Sequence, residues 1–390
     1  MFKRILSLMA GLVAAATTVL ANDGVFYAQG NQLIPITETE ITVQKEILTI
    51  NRVDKSACVE ITVYYEFFNP TGKTKTLLVG FEAAPPYPFD GMDNFPEQPN
   101  IHDFKVFLNG KALPFQVAHV REDLFAYDRT QTPVPPYYVN GKVADWTQKQ
   151  CEEAIAEVEE FYYPFGYVYH FNAEFKPGVN TVRHTYRFEM SESVDMSYIF
   201  PYVLTAARRW ANHQIDDFTL NINMGDAESF SIYPHFFQSA SEWKINGVGK
   251  TDITPFGGED SPRFHIREGG ISFHKKNFRP EGELLLFQER PYLSFNYSDD
   301  EPLTSDSIVA AVGDFYYDWS SILRENIQST PADARILRNL PFAHHGYVFK
   351  SRDLQKFFEA TNWYIPNPDY VADMEKLSPG EQKWIGFWKK

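Results

Sequence analysis

The stretch 58-CVEITVYYEFFNP-70 decides the fold class, because it is the clearest strand in the chain. Apolar side chains occupy every second position from Val59 to Phe67, and more polar ones alternate with them. This period of two is typical of a strand with one buried face. Asn69 and Pro70 then form a turn signal. The stretch therefore predicts a β-strand packed against a core.

Similar patterns extend in both directions from this strand. Tight turns are expected at Asn109-Gly110, within 243–251 and at Gly269-Gly270, because Asn and Gly accept the positive φ that hairpins need. Aromatic residues make up 16% of the chain, and Phe and Tyr pack well on pleated surfaces. The sequence thus predicts a mostly β protein with one or two β-sandwich, immunoglobulin-like domains. Further strands are expected at 41–50, 104–117, 167–175, 181–190, 217–225, 243–251, 264–276 and 283–291.

The last sixty residues change from strands to short capped helices. Thr330 before Pro331 and Ser378 before Pro379 are helix-start signals, Ser351 is another, and Gly346 is a stop signal. A small α-helical module is therefore expected to follow the β-rich part. The predicted division is a signal peptide at 1–21, a β-sandwich with a helical insertion (146–161) at 22–200, a second β-rich region at 201–298, a linker and helix at 299–329, and the helical module at 330–390.

The first 21 residues predict export. Lys3 and Arg4 precede an apolar stretch that ends at Leu20, and small residues lie just before Asn22, where signal peptidase would cut. The apolar stretch is too short to span a bilayer comfortably, although an uncleaved anchor helix is the alternative. We expect a periplasmic or extracellular protein with no integral membrane segment in the mature chain.

The charge of the chain limits its partners. Its 36 basic and 51 acidic residues give a formal charge of −15 at pH 7. A negative field of this size argues against nucleic acid and anionic membrane surfaces as main partners. An envelope protein or a cell-wall glycan is the expected partner, and the oligomeric state stays open.

The two cysteines, Cys58 and Cys151, are candidates for a disulfide, because paired thiols are common in oxidising compartments. Such a bond would join the strand at 58–70 to the helical insertion. Two separate thiols are the alternative. Neither cysteine has the spacing of a redox or zinc motif.

Other motifs argue against common catalytic sites. His344 and His345 are adjacent, and neighbours on a helix rarely share a metal ion. The stretch 247-GVGKT-251 lacks the first glycine of a P-loop, and no G-x-S-x-G occurs. The acidic residues at 299–301 could serve glycoside hydrolysis only at a suitable separation. No catalytic residue, metal site or cofactor is therefore predicted.

The C-terminal stretch RILRNLPFAHHGYVFKSRDLQKFFEATNWYIPNPDY resembles the YARHG domain, a short module of many exported bacterial proteins. The core reads Phe342-Ala343-His344-His345-Gly346, in which Phe342 and His344 stand where the family has tyrosine and arginine. The resemblance covers about residues 330–388. It implies an exported protein, and the family's molecular role is not established.

The N-terminal part also carries a resemblance. It begins 22-NDGVFYAQGNQLIP-35, continues with VEITVYYEFFNPTGKTKTLLVGFEAAPP and later contains TAARRWANHQIDDFTLNINMG. These phrases resemble an exported bacterial family of unknown function with a β-sandwich-like chain. The resemblance spans about residues 22–290 and implies no catalytic residues.

Aromatic residues of the C-terminal module carry the binding hypothesis, because they could form a platform for a sugar ring or an apolar side chain. The alternative is that they fill the core of a small domain, which needs such bulk. We expect a non-catalytic exported protein that binds a cell-envelope component or a partner protein. A hydrolase acting on envelope glycan or peptide is the alternative. The candidate binding residues are His345, Trp363, Tyr364, Tyr370 and Trp384.

Overall fold

The computed structural model describes residues 23–28, 33–36, 38–53, 56–83, 96–121, 149, 165–193, 195–289 and 330–389. Three predictions fall outside the described residues: the signal peptide at 1–21, the helical insertion at 146–161 apart from Lys149, and the linker at 299–329.

The described residues form sixteen strands followed by three α-helices. The strands are β1 (Asp23–Ala28), β2 (Leu33–Ile36), β3 (Thr42–Arg52), β4 (Cys58–Asn69), β5 (Lys75–Ala83), β6 (Ile101–Leu108), β7 (Lys111–Leu113), β8 (Gln116–Arg121), β9 (Phe165–Phe175), β10 (Gly178–Glu189), β11 (Met196–Tyr202), β12 (Ile215–Asn223), β13 (Glu228–Ile232), β14 (Trp243–Phe256), β15 (Glu259–Phe278) and β16 (Leu284–Glu289). The helices are α1 (Pro331–His344), α2 (Arg352–Glu359) and α3 (Pro379–Phe387).

The strands form two sheets. The smaller sheet has the order β2-β1-β5-β9-β8, and the larger has the order β11-β16-β13-β15-β12-β3-β4-β10-β6-β7, with β14 also paired to β15. The stretch that predicted a strand is β4, between β3 and β10. The mostly β fold with a helical module at its C-terminal end is confirmed.

The two sheets pack over an aromatic core. Every second residue of β4 from Val59 to Phe67 is buried. Phe81 and Tyr169 of the smaller sheet meet Phe104 of the larger one, at ring-centroid distances of 5.3 and 4.5 Å. Burial of apolar surface contributes roughly 25 cal/mol per Å², so these rings are a main source of stability.

The larger sheet crosses residue 200, where a soft domain boundary was predicted. Strand β12 pairs in parallel with β3, so the later β-rich region is hydrogen-bonded to the earlier one. A single core cluster extends from Ile41 to Leu286. The division of residues 22–298 into two domains stays a prediction.

Two of the three predicted tight turns are wrong. Asn109-Gly110 does join β6 to β7, with φ of 50° and 79°. In contrast, β14 continues through Gly247 and β15 through Gly269. The β14–β15 hairpin turns at Gly257-Gly258 instead, where φ is 60° and 89°.

The reason is that Gly247 and Gly269 lie directly opposite each other across the hairpin. A Cβ atom on either would lie 2.1 Å from a carbonyl oxygen of the facing strand. Their positive φ values, 136° and 95°, serve a close approach of two backbones rather than a reversal of the chain.

The C-terminal module follows its predicted helix signals. Thr330 and Asp333 form a capping box before α1, and Gly346 ends it with a φ of 78°. Ser351 lies at the start of α2 without capping it, and its hydroxyl accepts a hydrogen bond from Arg335 at 2.6 Å. None of the helices in the described ranges is long and apolar enough to cross a membrane.

The module has a core of its own, separate from the core of the sandwich. Its buried members come from all three helices and from the segments between them. They are Leu337, Leu340, Ala343, Phe349, Leu354, Phe358, Trp363, Tyr364, Leu377, Trp384, Ile385 and Trp388.

Candidate functional site

A polar patch lies on the larger sheet where β13, β15 and β14 run side by side. Strand β15 supplies Arg263, His265 and Arg267 at alternate positions, which share one face. Ser229 of β13 lies opposite His265, and Asp252 of β14 lies opposite Arg263. We call these five residues the polar patch.

Hydrogen bonds join four members of the patch into one network. Ser229 Oγ lies 2.8 Å from His265 Nδ1, and His265 Nε2 lies 3.1 Å from Asp252 Oδ1. Arg263 donates to both oxygens of Asp252, at 3.0 and 2.9 Å. Because an ionised carboxylate only accepts, His265 Nε2 donates to it, and Nδ1 of a neutral ring accepts from Ser229.

Asp252 is the centre of this network. Burial by itself raises the pKa of its carboxyl, but the hydrogen bonds from His265 and Arg263 outweigh burial and hold the pKa well below its usual range. Asp252 is therefore ionised at neutral pH.

The C-terminal module covers the polar patch with the segment 361–366, which we call the cover segment. Lys250 Nζ donates to the carbonyl of Thr361 at 3.2 Å. Asn362 donates to Asp252 Oδ2, and Arg267 Nη1 donates to the carbonyl of Pro366 at 2.6 Å. These contacts hold the module against the sheet.

A small cleft of about 30 Å³ remains between the sheet and the module. On the sheet side it is lined by Ser229, His265 and Arg267, and on the module side by His344 and Trp363. The rings of His344 and Trp363 stack at 4.8 Å with an angle of 16° between them. Both halves of the chain therefore build the cleft.

Glu228 also lines the cleft, and partners within the fold occupy its carboxylate. Arg52 forms an ion pair with Glu228 Oε2 at 3.1 Å. Gln288 and the Tyr198 hydroxyl donate to Oε1 at 2.8 and 3.3 Å. The negative charge of Glu228 is therefore compensated from inside the fold.

Three of the predicted binding residues belong to the core of the module. Trp363, Tyr364 and Trp384 are 6%, 3% and 0% exposed. The Tyr364 hydroxyl donates to the carbonyl of Tyr347 at 2.8 Å, and Trp384 Nε1 donates to that of Leu337 at 2.7 Å. Of the three, Trp363 is the one that lines the cleft.

His345 and Tyr370 come together at a different place in the module. Their rings stack at 5.2 Å with an angle of 11°. His345 Nε2 lies 2.9 Å from Oε1 of Glu381, a carboxylate that also accepts from the backbone of Ser378 at 2.7 Å. Burial, together with the charge of Glu381, raises the pKa of Tyr370. This cluster ties α3 to the end of α1.

The predicted disulfide stays a prediction. Cys58 is half-buried at the start of β4, and burial raises the pKa of its thiol. Cys151 lies outside the described residues. In the described part of the chain, no group of three or more His, Cys, Asp or Glu side chains is placed to hold a metal ion.

Four members of the polar patch were not predicted from the sequence as site residues: Ser229, Asp252, His265 and Arg267. One signal was present in 263-RFHIR-267, where basic and apolar residues alternate. That period of two predicts three basic side chains on one face of a strand. Their partners on β13 and β14 depend on register, which the pattern does not give.

Comparison with protein families identifies both ends of the chain. Residues 323–390 match the YARHG domain, and residues 21–134 match a domain of unknown function, DUF4424. The chain therefore carries a YARHG domain, its C-terminal helical module, behind an N-terminal DUF4424 region. Both predicted resemblances are confirmed. No curated protein matches the chain.

Comparison with solved structures gives matches of low identity and low TM-score. A "putative nutrient binding protein" from Legionella pneumophila is 19% identical, with a TM-score of 0.44 over 94% of this chain and 98% of that one. An M1 zinc metallopeptidase from Deinococcus radiodurans is 8% identical, with a TM-score of 0.25 over 65% of this chain and 43% of that one. A yeast LTA4 hydrolase is 9% identical, with a TM-score of 0.24 over 64% and 29% of the two chains.

Proposed function

We propose that this is an exported binding protein whose ligand, a small polar component of the cell envelope, lies in the cleft between the larger sheet and the YARHG module. The observation that carries the proposal is that the module covers a polar patch and leaves space above it. Export is supported by the leader-like residues 1–21 and by the YARHG domain, which is typical of exported proteins.

The polarity of the cleft favours a ligand over a purely structural contact. Ser229 and His265, which line it, are 7% and 2% exposed. Burying polar groups costs free energy, and folded proteins normally place apolar residues where two parts only need to pack. A few polar groups placed in a partly enclosed and otherwise apolar space are typical of ligand sites.

The size of the cleft limits the part of the ligand that it can hold. The space between the sheet and the module has a volume of about 30 Å³, and a cavity needs roughly 10–15 Å³ to hold one water molecule. One polar end group of a ligand, rather than a whole sugar ring, fits such a space. The proposed ligand is therefore a fragment of cell-wall glycan or of its peptide that inserts a polar end group, rather than the flat surface of an envelope protein.

Photo-crosslinking in the cell tests this function. A photoreactive phenylalanine analogue would replace Pro366, whose carbonyl accepts from Arg267 at the cleft. The same analogue at Met374, an exposed residue of the same module, is the matched control. We expect a small-molecule adduct, detected by mass spectrometry, on position 366 and none on 374. The same products at both positions, or none at 366, would contradict the proposal.

A second candidate, a hydrolase acting on envelope peptide or ester bonds, is favoured by the line Ser229–His265–Asp252. In such a reaction Ser229 Oγ would bond to the acyl carbon, and its proton would pass through His265 Nδ1 to the leaving amine or alcohol. Water would then release the acid and restore the hydroxyl. Against this candidate, Arg263 and Asn362 already donate to Asp252, which weakens its support of a charged imidazole.

A fluorophosphonate probe separates the two candidates. It labels a serine that an adjacent base has activated. Labelling of the wild-type protein that disappears in a Ser229→Ala variant would favour the hydrolase. If the wild type is not labelled under conditions that label a known serine hydrolase, the binding function stands.

A further inference from the structure

The charged residues around the cleft are not balanced. Both nearby carboxylates, Glu228 and Asp252, are neutralised by arginines of the fold, Arg52 and Arg263. Each also accepts hydrogen bonds from neutral or imidazole donors. Neither carboxylate therefore needs a positive ligand.

Within the described ranges, the guanidinium of Arg267 has no carboxylate partner. It is half-buried and lines the cleft, and the one hydrogen bond of this side chain to the described residues goes to the carbonyl of Pro366. A carbonyl does not neutralise a guanidinium. Arginine has five N–H donors in a planar fork, so most of its donors remain available.

Trp363 supplies a reporter at the same place. Its indole is 6% exposed and lines the cleft. Trp363 Nε1 is itself buried and, within the described ranges, has no hydrogen-bond acceptor. A ligand that enters the cleft changes the surroundings of this ring without touching the N–H group.

We propose that the ligand of the cleft carries a carboxylate, which the guanidinium of Arg267 receives. This inference rests on the binding function proposed above and names the chemistry of its ligand. The fork of an arginine matches the two oxygens of a carboxylate, and charge-assisted hydrogen bonds of this kind are the strong ones. The ligand class is a carboxylic acid whose carboxylate enters the cleft while the rest of the molecule stays at its mouth, such as a sugar acid or the C-terminal end of a short peptide.

The test follows the indole N–H resonance of Trp363 by nuclear magnetic resonance, assigned by its loss in a Trp363→Phe variant. Acetate and acetamide form one pair of probes, and glucuronate and glucose form another. Within each pair, one probe carries a carboxylate and the other does not. We expect the acid of each pair to shift the resonance to saturation, and its neutral partner to leave the resonance in place.

Variants at Arg267 test whether its guanidinium binds the acid that causes the shift. Arg267→Gln should weaken the apparent Kd for the acid by about tenfold or more. Arg267→Lys keeps the charge without the fork, so its effect should be smaller. Arg183→Gln is the matched control, because Arg183 is an exposed arginine that lies over the Phe107 ring at 4.6 Å. An unchanged Trp363 resonance in the ligand-free variants shows that the module stays in place.

The outcomes separate this inference from the binding function. If a neutral partner shifts the resonance as strongly as its acid, or if Arg267→Gln binds the acid as the wild type does, the carboxylate inference is overturned while the cleft remains a binding site. If no probe of either pair shifts the resonance, the carboxylate inference is overturned. The absence of a crosslinked adduct at position 366 would contradict the binding function as well.

Discussion

At the scale of single residues, Asp252 connects the sandwich to the YARHG module. Asp252→Asn removes the charge that Arg263 pairs with and weakens the bonds from His265 and Asn362. We expect the free energy of unfolding at pH 7 to fall by about 2 kcal/mol. Urea unfolding measures it.

The pH dependence of this effect has a definite sign. The pKa of Asp252 in the folded state lies below its usual range. The contribution of its carboxylate to stability is therefore fully present above the unfolded-state pKa of about 3.9, and it is lost as the pH falls toward the folded-state pKa. The difference in free energy of unfolding between the wild type and Asp252→Asn should therefore become smaller below about pH 4. Asp217→Asn is the control, because its partners His274 and Lys276 are exposed and such pairs contribute under about 1 kcal/mol. A gap that does not change with pH would contradict this account.

Inside the module, Glu381 connects the end of α1 to the start of α3. It is 1% exposed, and it accepts from the backbone of Ser378 and faces His345. Glu381→Ala would leave both groups without their partner and remove a capping box, so we expect a loss of about 2 kcal/mol. Hydrogen exchange in the peptide 378–388 should then be roughly thirtyfold faster.

Two further variants test the cause of that loss. Glu381→Gln keeps an acceptor at the helix start, as Gln does in capping boxes, and should restore part of the protection. Lys383→Ala changes an exposed neighbour on the same helix and should stay within about 0.5 kcal/mol of the wild type. Equal exchange in the Glu381→Ala and Lys383→Ala variants would show that the buried carboxylate contributes nothing.

The residues of the site were harder to predict than the residues of the module. Trp384 and Tyr364 follow from a simple argument, since a sixty-residue domain needs aromatic bulk in its core. Ser229 and His265 are 36 positions apart and meet only through the pairing of β13 with β15. No local pattern contains such a pairing, so the cleft could not be derived from the sequence.

At the scale of elements, the β14–β15 hairpin depends on two facing glycines. Gly247→Ala would place a Cβ atom 2.1 Å from the carbonyl oxygen of Glu268, at a φ that other residues avoid. Backbone must move to relieve this contact, so we expect a loss of about 3 kcal/mol or more in the free energy of unfolding. Gly72→Ala is the control, because nothing lies within 4 Å of its Cβ position and its φ is ordinary, and it should change stability by under about 0.5 kcal/mol. Similar losses in the two variants would contradict the proposed close approach.

The same glycines show why turns are ambiguous in a sequence. Positive φ is needed both at Asn109-Gly110, where the chain reverses, and at Gly247, where it does not. The dipeptide Asn-Gly indicates a positive φ, but it does not indicate whether the chain reverses there. The distinction comes from the facing strand, here Gly269, and that partner is set by tertiary structure. Helix starts were more predictable, because capping is a local interaction and the boxes at Thr330 and Ser378 form as their sequences indicate.

At the scale of the whole molecule, composition and alternation sufficed to predict the β-rich part and the helical end. The contact between the two was not predictable, since its polar patch and cover segment lie about one hundred residues apart in the chain. The two cores have no residue in common. Their separation indicates that each part has the apolar surface it needs to fold, and that the polar contacts at the cleft couple them.

A chain ending at Asp306 tests this organisation, because it removes the YARHG module and leaves the sandwich core complete. We expect it to stay folded, with the β-sheet signal in circular dichroism retained. In calorimetry the full-length protein should show two transitions, of which the shortened chain keeps one. Asn362→Ala, which removes one donor to Asp252 in the otherwise intact chain, should bring the module transition to lower temperature and leave the sandwich transition in place. A shortened chain that fails to fold, or a single transition in the full-length protein, would mean that the module is part of the sandwich and not a domain closing a cleft on it.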